Sequence, residues 1–411
     1  MTIGGYELVA RDLARRLHSE GHRVAVASSP LFGDSTSQQE DFEVFRILQC
    51  IDHSPEIFRN EDVLQLGLFI NLHNIKAMKE LVTDWKPDAV ACFNLSGLGP
   101  FGLLHLFHSL GHHPIWRIGD TPAGAKQSRS EITRFSRIFD TDDVFKDINF
   151  VAISLRVMDE LSRDIGLRMG PVTLLRGSFL QNPPLDSQWR DSSKELRLIF
   201  ASRIESHKGT DLLLEAADRV RGRGITNFHI DVFGAGRVAR FQQQTYARNL
   251  ENIVSYQGVL PKSKMLERFG DYDALLFPTW EREPFGNVVV EASSAGCIPI
   301  ITATIGAAEC LVDGVDCIKI RRDPDDLSDA IVGLANQEPT DRNAFRMRVK
   351  RNARSTFDGD QNFNRMKTLF ETVAKLRRQP SASPDQILGL SQCSHIFGGE
   401  IHPSWMNAKR R

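Results

Sequence analysis

Short apolar runs punctuate the chain and alternate with longer segments whose apolar residues recur at helical spacing. The first set of runs is RVAVASS (23–29), PDAVACFN (87–94), PIWRIGD (114–120) and NFVAIS (149–154). The second is LRLIFAS (196–202), FHIDVFG (228–234), NIVSYQG (252–258), ALLFP (274–278) and IPIITA (298–303). Strands with helices between them need crossover connections, which are right-handed and give parallel sheets. The runs are apolar almost throughout, as expected of strands covered on both faces. A stretch rich in Pro, Ser, Asp and Gln, QNPPLDSQWRDSSKE (181–195), separates the two sets and reads as a linker. The pattern predicts an α/β protein of two doubly wound domains, over 1–182 and 195–360. Phe363, Met366, Phe370, Val373 and Leu376 then share one face of a helix over 361–379, free to cross back to the first domain. Residues 380–411 are polar and irregular, and are expected to be loose.

Bulk properties narrow the function classes. The 411 residues carry 51 Lys and Arg against 52 Asp and Glu, a formal net charge of -1. No global field therefore argues for nucleic acid. No apolar run approaches the ~20 residues that span a bilayer. The start, MTIGGYELVA, lacks the apolar core of a secretory signal, so a cytoplasmic protein is expected. Six cysteines are scattered without a C-x-x-C pair, which predicts reduced thiols rather than a disulfide frame or a zinc site.

Candidate chemistry concentrates where strands of the second set end. In EREPFGNVVVE, Glu283 lies in the loop after ALLFP and Glu291 lies among Val and Ala of a helix predicted to start near Phe285 or Gly286. Open parallel sheets bind ligands at the carboxyl ends of their strands. The free N–H groups of a helix N-terminus attract anions there, and Gly286 lets a ligand come close to the backbone. A buried carboxylate at Glu291 is costly unless it accepts hydrogen bonds, for instance from ligand hydroxyls. Arg203 and Lys208, after LRLIFAS, place two cations at another strand end, a plausible diphosphate clamp. Taken singly, each of these residues has an ordinary structural explanation as a cap, an ion pair or a solvated loop.

Taken in order, Arg203…Lys208-Gly209, VFGAG, YQGVLP, DYDALLFPTWEREPFGNVVVEASSAGCIPII and GAAECLVDG resemble glycosyltransferase family 4. The likeness is strong over about 196–330 and weaker in GGYELVARDLARRLHSEGHRVAVAS, KPDAVACFN and FVAISLRVMDEL. It implies the GT-B fold, two Rossmann-like domains facing each other across a cleft, and a retaining transferase that uses a nucleoside-diphosphate sugar. It implies that Arg203 and Lys208 neutralise the donor diphosphate, so that no metal or other cofactor is required. Glu283 would bind donor sugar hydroxyls, Glu291 the ribose, and the backbone N–H groups of Phe285, Gly286 and Asn287 phosphate or sugar. Gly4 and Gly5 would face the diphosphate from the first domain. The implied acceptor is a hydroxyl on a glycan, a lipid-linked molecule or a small molecule, with peripheral contact at the inner membrane face in the lipid case. Two departures stand out. Only Met1, Thr2 and Ile3 precede Gly4-Gly5, where the family has a central strand, so either the true start lies upstream or the first domain is impaired. Gly119 stands where the family has a histidine beside the aspartate, here Asp120, counted with the catalytic residues. These departures motivate the alternative of a degenerate or truncated nucleotide-sugar-binding protein without activity. A sugar phosphorylase or synthase of the same fold is a further alternative.

Four other signals compete. Gly234-Ala235-Gly236-Arg237-Val238-Ala239 follows a strand as a dinucleotide fingerprint would, but the next strand offers Ser255-Tyr256-Gln257 and no carboxylate. Asp140-Thr141-Asp142 and Asp271-Tyr272-Asp273 could hold a metal, though such pairs are common by chance. His105, His108, His112 and His113 cluster at what reads as an exposed helix end closed by Gly111. DRNAFRMRVKRNAR, with Arg342, Arg346, Arg348, Lys350, Arg351 and Arg354, reads as a solvated helix face or a contact for anionic lipid.

Overall fold

The computed structural model describes residues 5–29, 40–50, 70–93, 95, 97–119, 145–165, 170–177, 179 and 189–380. Gly4, Asp120 and Asp140-Thr141-Asp142 lie outside them. The chain is an α/β protein in which every strand pairing between neighbours in a sheet is parallel.

The first half contains β1 (Ala25–Ala27), β2 (Glu43–Phe45), β3 (Ala91–Phe93), β4 (Ile115–Ile118), β5 (Asn149–Ala152) and β6 (Val172–Leu174). Strands β3 to β6 form one sheet in chain order, while β1 and β2 form a separate pair. Among the described residues β1 does not pair with β3, so a single continuous first sheet is not present. Helices α1 (Gly5–Ser19), α2 (Leu72–Trp85), α3 (Pro100–Ser109) and α4 (Leu155–Ile165) surround these strands.

The second half holds β7 (Leu196–Ala201), β8 (Phe228–Phe233), β9 (Val254–Gly258), β10 (Ala274–Phe277), β11 (Ile298–Thr302) and β12 (Ile318–Ile320) in the order β12-β11-β10-β7-β8-β9. Its helices are α5 (Thr210–Gly222), α6 (Val238–Ala247), α7 (Lys262–Arg268), α8 (Asn287–Ser294), α9 (Pro324–Ala335) and α10 (Pro339–Thr356). From β7 the chain runs outward to β8 and β9, and from β10 outward the other way. The sheet therefore reverses between β7 and β10, and a crevice opens beyond their carboxyl ends. Strands β10 and β11 are buried along their whole length, which accounts for their unbroken apolar sequence.

Helix α11 (Gly359–Lys375) lies against the first half. Its Phe363, Met366 and Val373 join Val9 and Leu13 of α1, Ile115 of β4 and Val151 of β5 in one core. Arg16 stacks 4.1 Å from the centre of the Phe363 ring and pairs with Asp360 at 2.7 Å.

Two sequence readings are corrected. The basic helix α10 is not a solvated face: Arg342, Arg346 and Lys350 are each 1% exposed or less. They clamp the segment entering β7. Arg346 donates to the carbonyls of Gly296, Arg190 and Gly270, and its guanidinium stacks 4.5 Å from the centre of the Trp189 ring. Arg342 donates to the carbonyls of Leu334, Gln337 and Ser193. Cations spread over carbonyls and an indole can be buried where isolated charges are not. Of the basic residues of the stretch, only Arg348 and Arg351 are exposed.

The histidine-rich end of α3 is also not open to solvent. His112 and His113 are buried, Arg378 donates its backbone N–H to Gly111 at 2.9 Å, and Asp147 takes His108 at 2.9 Å and Arg378 at 3.0 Å. Burial, reinforced by Arg377, pushes His112 down to about 4. Among the described residues no group of three or more His, Cys, Asp or Glu side chains could hold a metal ion. In the described acidic pair, Asp271 takes Arg268, and the fully buried Asp273 accepts from Ser192 Oγ and the Arg197 N–H.

Arg346 also lies 3.7 Å from the buried Asp273 carboxylate, so replacing it by Ala breaks a buried ion pair and should lower stability by roughly 3–5 kcal/mol in urea unfolding. Arg351→Ala, on the exposed face, should stay within about 0.5 kcal/mol of the parent. Equal effects of the two would contradict the buried clamp.

Candidate active site

The crevice beyond β7 and β10 is built by close backbone approaches. Gly209 has φ 88°, and a Cβ there would stand 2.1 Å from the Pro278 carbonyl oxygen. Only glycine lets the loop after β7 lie against the end of β10. A second approach involves the Gly-Ala-Gly turn after β8. A Cβ on Gly234 would meet the Ser202 oxygen at 1.9 Å, one on Gly236 the Ile204 oxygen at 2.6 Å, and Ile204 N–H donates to Ala235 at 2.8 Å. The glycines that resemble a dinucleotide fingerprint thus seat the loop that carries Arg203.

With the backbones this close, Lys208 Nζ reaches Glu283 Oε2 at 2.5 Å. The same oxygen accepts from Thr279 Oγ1 at 3.1 Å and Trp280 Nε1 at 3.2 Å. The pair is largely buried, with side-chain exposures of 12% and 13%. Trp280 is held in turn by its backbone N–H on the His207 carbonyl, 2.9 Å away, and by its indole edge on the His207 ring. Burial, with Lys208 and Arg203 acting in the same direction, keeps the His207 imidazole below its ordinary value. Arg203 is exposed and has no hydrogen-bond or ion-pair partner among the described residues.

Helix α8 begins immediately behind. Gly286 is its N-cap at φ 92° and no side chain caps it, so its first N–H groups are left without a side-chain cap. The Phe285 side chain is buried edge-on against Phe357, while its carbonyl accepts from Ala307 at 3.0 Å. Asn287 is the first residue of the helix. Glu291, one turn on, has its Oε1 at 3.7 Å from Lys262 Nζ. Burial raises the Glu291 carboxyl above its ordinary value; Lys262 opposes this and Asp12 adds to it.

The first half closes the crevice through named contacts. Glu309 accepts the backbone N–H groups of Leu155 and Arg156 at 2.7 and 2.9 Å, capping α4 with a carboxylate from the second half. Arg282 makes a two-pronged pair with Glu160 at 3.0 and 2.6 Å. Lys262 Nζ lies 3.0 Å from Asp12 Oδ2 of α1. Gly5 opens α1, and Gly119 is buried at the end of β4.

Arg203, Lys208, Glu283, Phe285, Gly286, Asn287 and Glu291 thus all belong to loops and one helix at a shared sheet edge. Sequence reasoning missed Thr279 and Trp280, whose only signal is their place directly after β10. It also missed Lys262 and Asp12, which leave no local pattern.

Residues 183–356 match the family model described as glycosyl transferases group 1. The chain is 24% identical over 337 residues to the glycogen synthase of Mycobacterium tuberculosis, covering 76% of this chain and 78% of that protein. Among solved structures, a glycosyltransferase from Rickettsia africae superposes with a TM-score of 0.70 at 16% identity, over 91% of this chain and 96% of the other. Anabaena HepE in complex with UDP-glucose gives 0.64 at 16% identity, over 90% and 97%. Residues 183–356 thus carry the signature of the glycosyl transferases group 1 family, and the chain has the GT-B fold of the solved glycosyltransferases on which it superposes.

Proposed function

We propose that the chain moves a sugar from a nucleoside-diphosphate sugar to an acceptor hydroxyl with retention of anomeric configuration, as the family 4 enzymes do, and without a metal. One observation carries this reading: Lys208 is fixed 2.5 Å from Glu283 beside the uncapped start of α8. A donor pyrophosphate entering there meets an ammonium, the Arg203 guanidinium and helix N–H groups, which together offset its charge. As the sugar–phosphate bond breaks, charge grows on the leaving diphosphate, and these groups stabilise it without reorganising. Glu283 is then released from Lys208 to accept sugar hydroxyls, while Thr279 and Trp280 keep its orientation. Glu291 accepts ribose hydroxyls. The acceptor enters from the first half, where Gly4, Gly5 and Asp120 belong in this reading. For a lipid-linked acceptor, Arg348 and Arg351 are the exposed cations of α10 that remain to meet anionic headgroups. Among the described residues no helix is long and apolar enough to cross a membrane.

A second reading draws on Gly119, which offers no side chain where the family places a histidine: a nucleotide-sugar-binding protein without turnover. A screen of UDP-, GDP- and ADP-sugars with and without EDTA separates the two. Release of nucleoside diphosphate, unaffected by EDTA and yielding a product with the donor's anomeric configuration by proton NMR, is expected. Binding without release would favour the second reading, and loss of turnover with EDTA would contradict the metal-free reading.

Glu291→Gln should weaken donor binding roughly ten- to a hundredfold, the scale of a hydrogen bond to a charged acceptor. The same variant should melt no lower than the parent at neutral pH. The folded-state value of Glu291 is raised, so its contribution to stability is present below its unfolded value and lost as pH rises through the folded one. Gln imitates the protonated form, so the advantage of the variant should shrink as pH falls into the ordinary carboxylate range. Unchanged donor affinity would contradict the ribose role.

A further inference from the structure

Two carboxylates share one ammonium where the halves meet. Lys262, the first residue of α7, lies 3.0 Å from Asp12 Oδ2 and 3.7 Å from Glu291 Oε1. Asp12 sits two turns into α1, in the first half, and is 6% exposed. Lys262 and Glu291 belong to the second half, with side-chain exposures of 17% and 21%. Among the described residues Lys262 supplies the only hydrogen bond to the Asp12 carboxylate. Two ionised acids around one ammonium leave an excess of one negative charge in a confined place, which calls for hydrogen-bond donors rather than a further anion. Vicinal sugar hydroxyls are such donors.

We propose that Lys262 is a positioning residue that ties Asp12 of the first half to Glu291, so that reading of the donor ribose and the approach of the two halves reinforce each other. This rests on the ribose role of Glu291. With Lys262 in place, Glu291 is held towards the crevice and α1 is held over it. Without Lys262, both acids repel and Glu291 loses its fixed orientation. Lys264, two residues on, is exposed and among the described residues pairs only with Glu267, at 2.9 Å, so it provides a matched control on the same helix.

The test is calorimetric binding of UDP, GDP and ADP, followed by the 2′,3′-dideoxy form of whichever binds best. The parent protein should prefer the ribonucleotide. Lys262→Met should lose about tenfold in affinity for it, the scale of a site-to-site coupling, and should bind the dideoxy form as the parent does. Asp12→Asn should move in the same direction, the double variant should be no worse than Lys262→Met alone, and Lys262→Arg should recover part of the loss. Lys264→Met should match the parent. A Lys262→Met protein that still prefers the ribonucleotide as strongly as the parent overturns the bridge while leaving Glu291 as the ribose reader. A parent that binds both forms equally overturns the ribose role and the bridge with it. Additive effects of Asp12→Asn and Lys262→Met, which indicate two independent sites, also overturn it.

Discussion

Everything at the candidate site depends on how closely two loops of one sheet approach each other. The Gly209 backbone lies against the Pro278 carbonyl at a distance that leaves no room for a Cβ. That approach lets a lysine from the strand on one side of the sheet reversal touch a glutamate from the strand on the other. The ion pair has little water to screen it, and burying its two charges is costly unless each is well partnered. Glu283 meets this condition with two further donors, Thr279 and Trp280. Lys208 has fewer partners, which suits a side chain meant to exchange a carboxylate for a phosphate.

The second dependence is on charge crossing between the halves. Glu309 caps α4, Arg282 grips Glu160, Lys262 reaches Asp12, and Arg16 reaches Asp360. Each contact joins residues more than a hundred positions apart, and each lies around the crevice or on the returning helix α11. These ionic contacts accompany a buried apolar cluster that runs across both halves, from Ile153 and Val157 to Phe285, Val290 and Ala307.

Much of the fold could be read from the chain because buried parallel strands leave unbroken apolar runs, as IPIITA and ALLFP do. Strands β2, β6 and β12 escaped notice because each has three residues and only one of those nine positions is buried. The edge that carries Arg203, Lys208, Glu283 and Glu291 was legible from spacing, since loops after parallel strands gather at one end of a sheet. The contact between Lys208 and Glu283 was not, because it depends on backbone approach at Gly209. Helix α10 was misread because a hydropathy pattern counts Arg342, Arg346 and Lys350 as surface, whereas carbonyl oxygens and the Trp189 ring accommodate them inside. The histidines of α3 were misread for a related reason: the segment that covers them, around Arg377 and Arg378, comes from more than two hundred residues away.

The central claim is that this crevice grips a pyrophosphate between loop cations and helix amides. A crystal structure of the chain with a bound nucleoside diphosphate tests it most directly. The account predicts a phosphate within hydrogen-bond distance of Lys208 Nζ and of an N–H at the start of α8, with Glu291 on the ribose and the Lys208–Glu283 contact lengthened. A nucleotide seated elsewhere, with that contact intact, would contradict it.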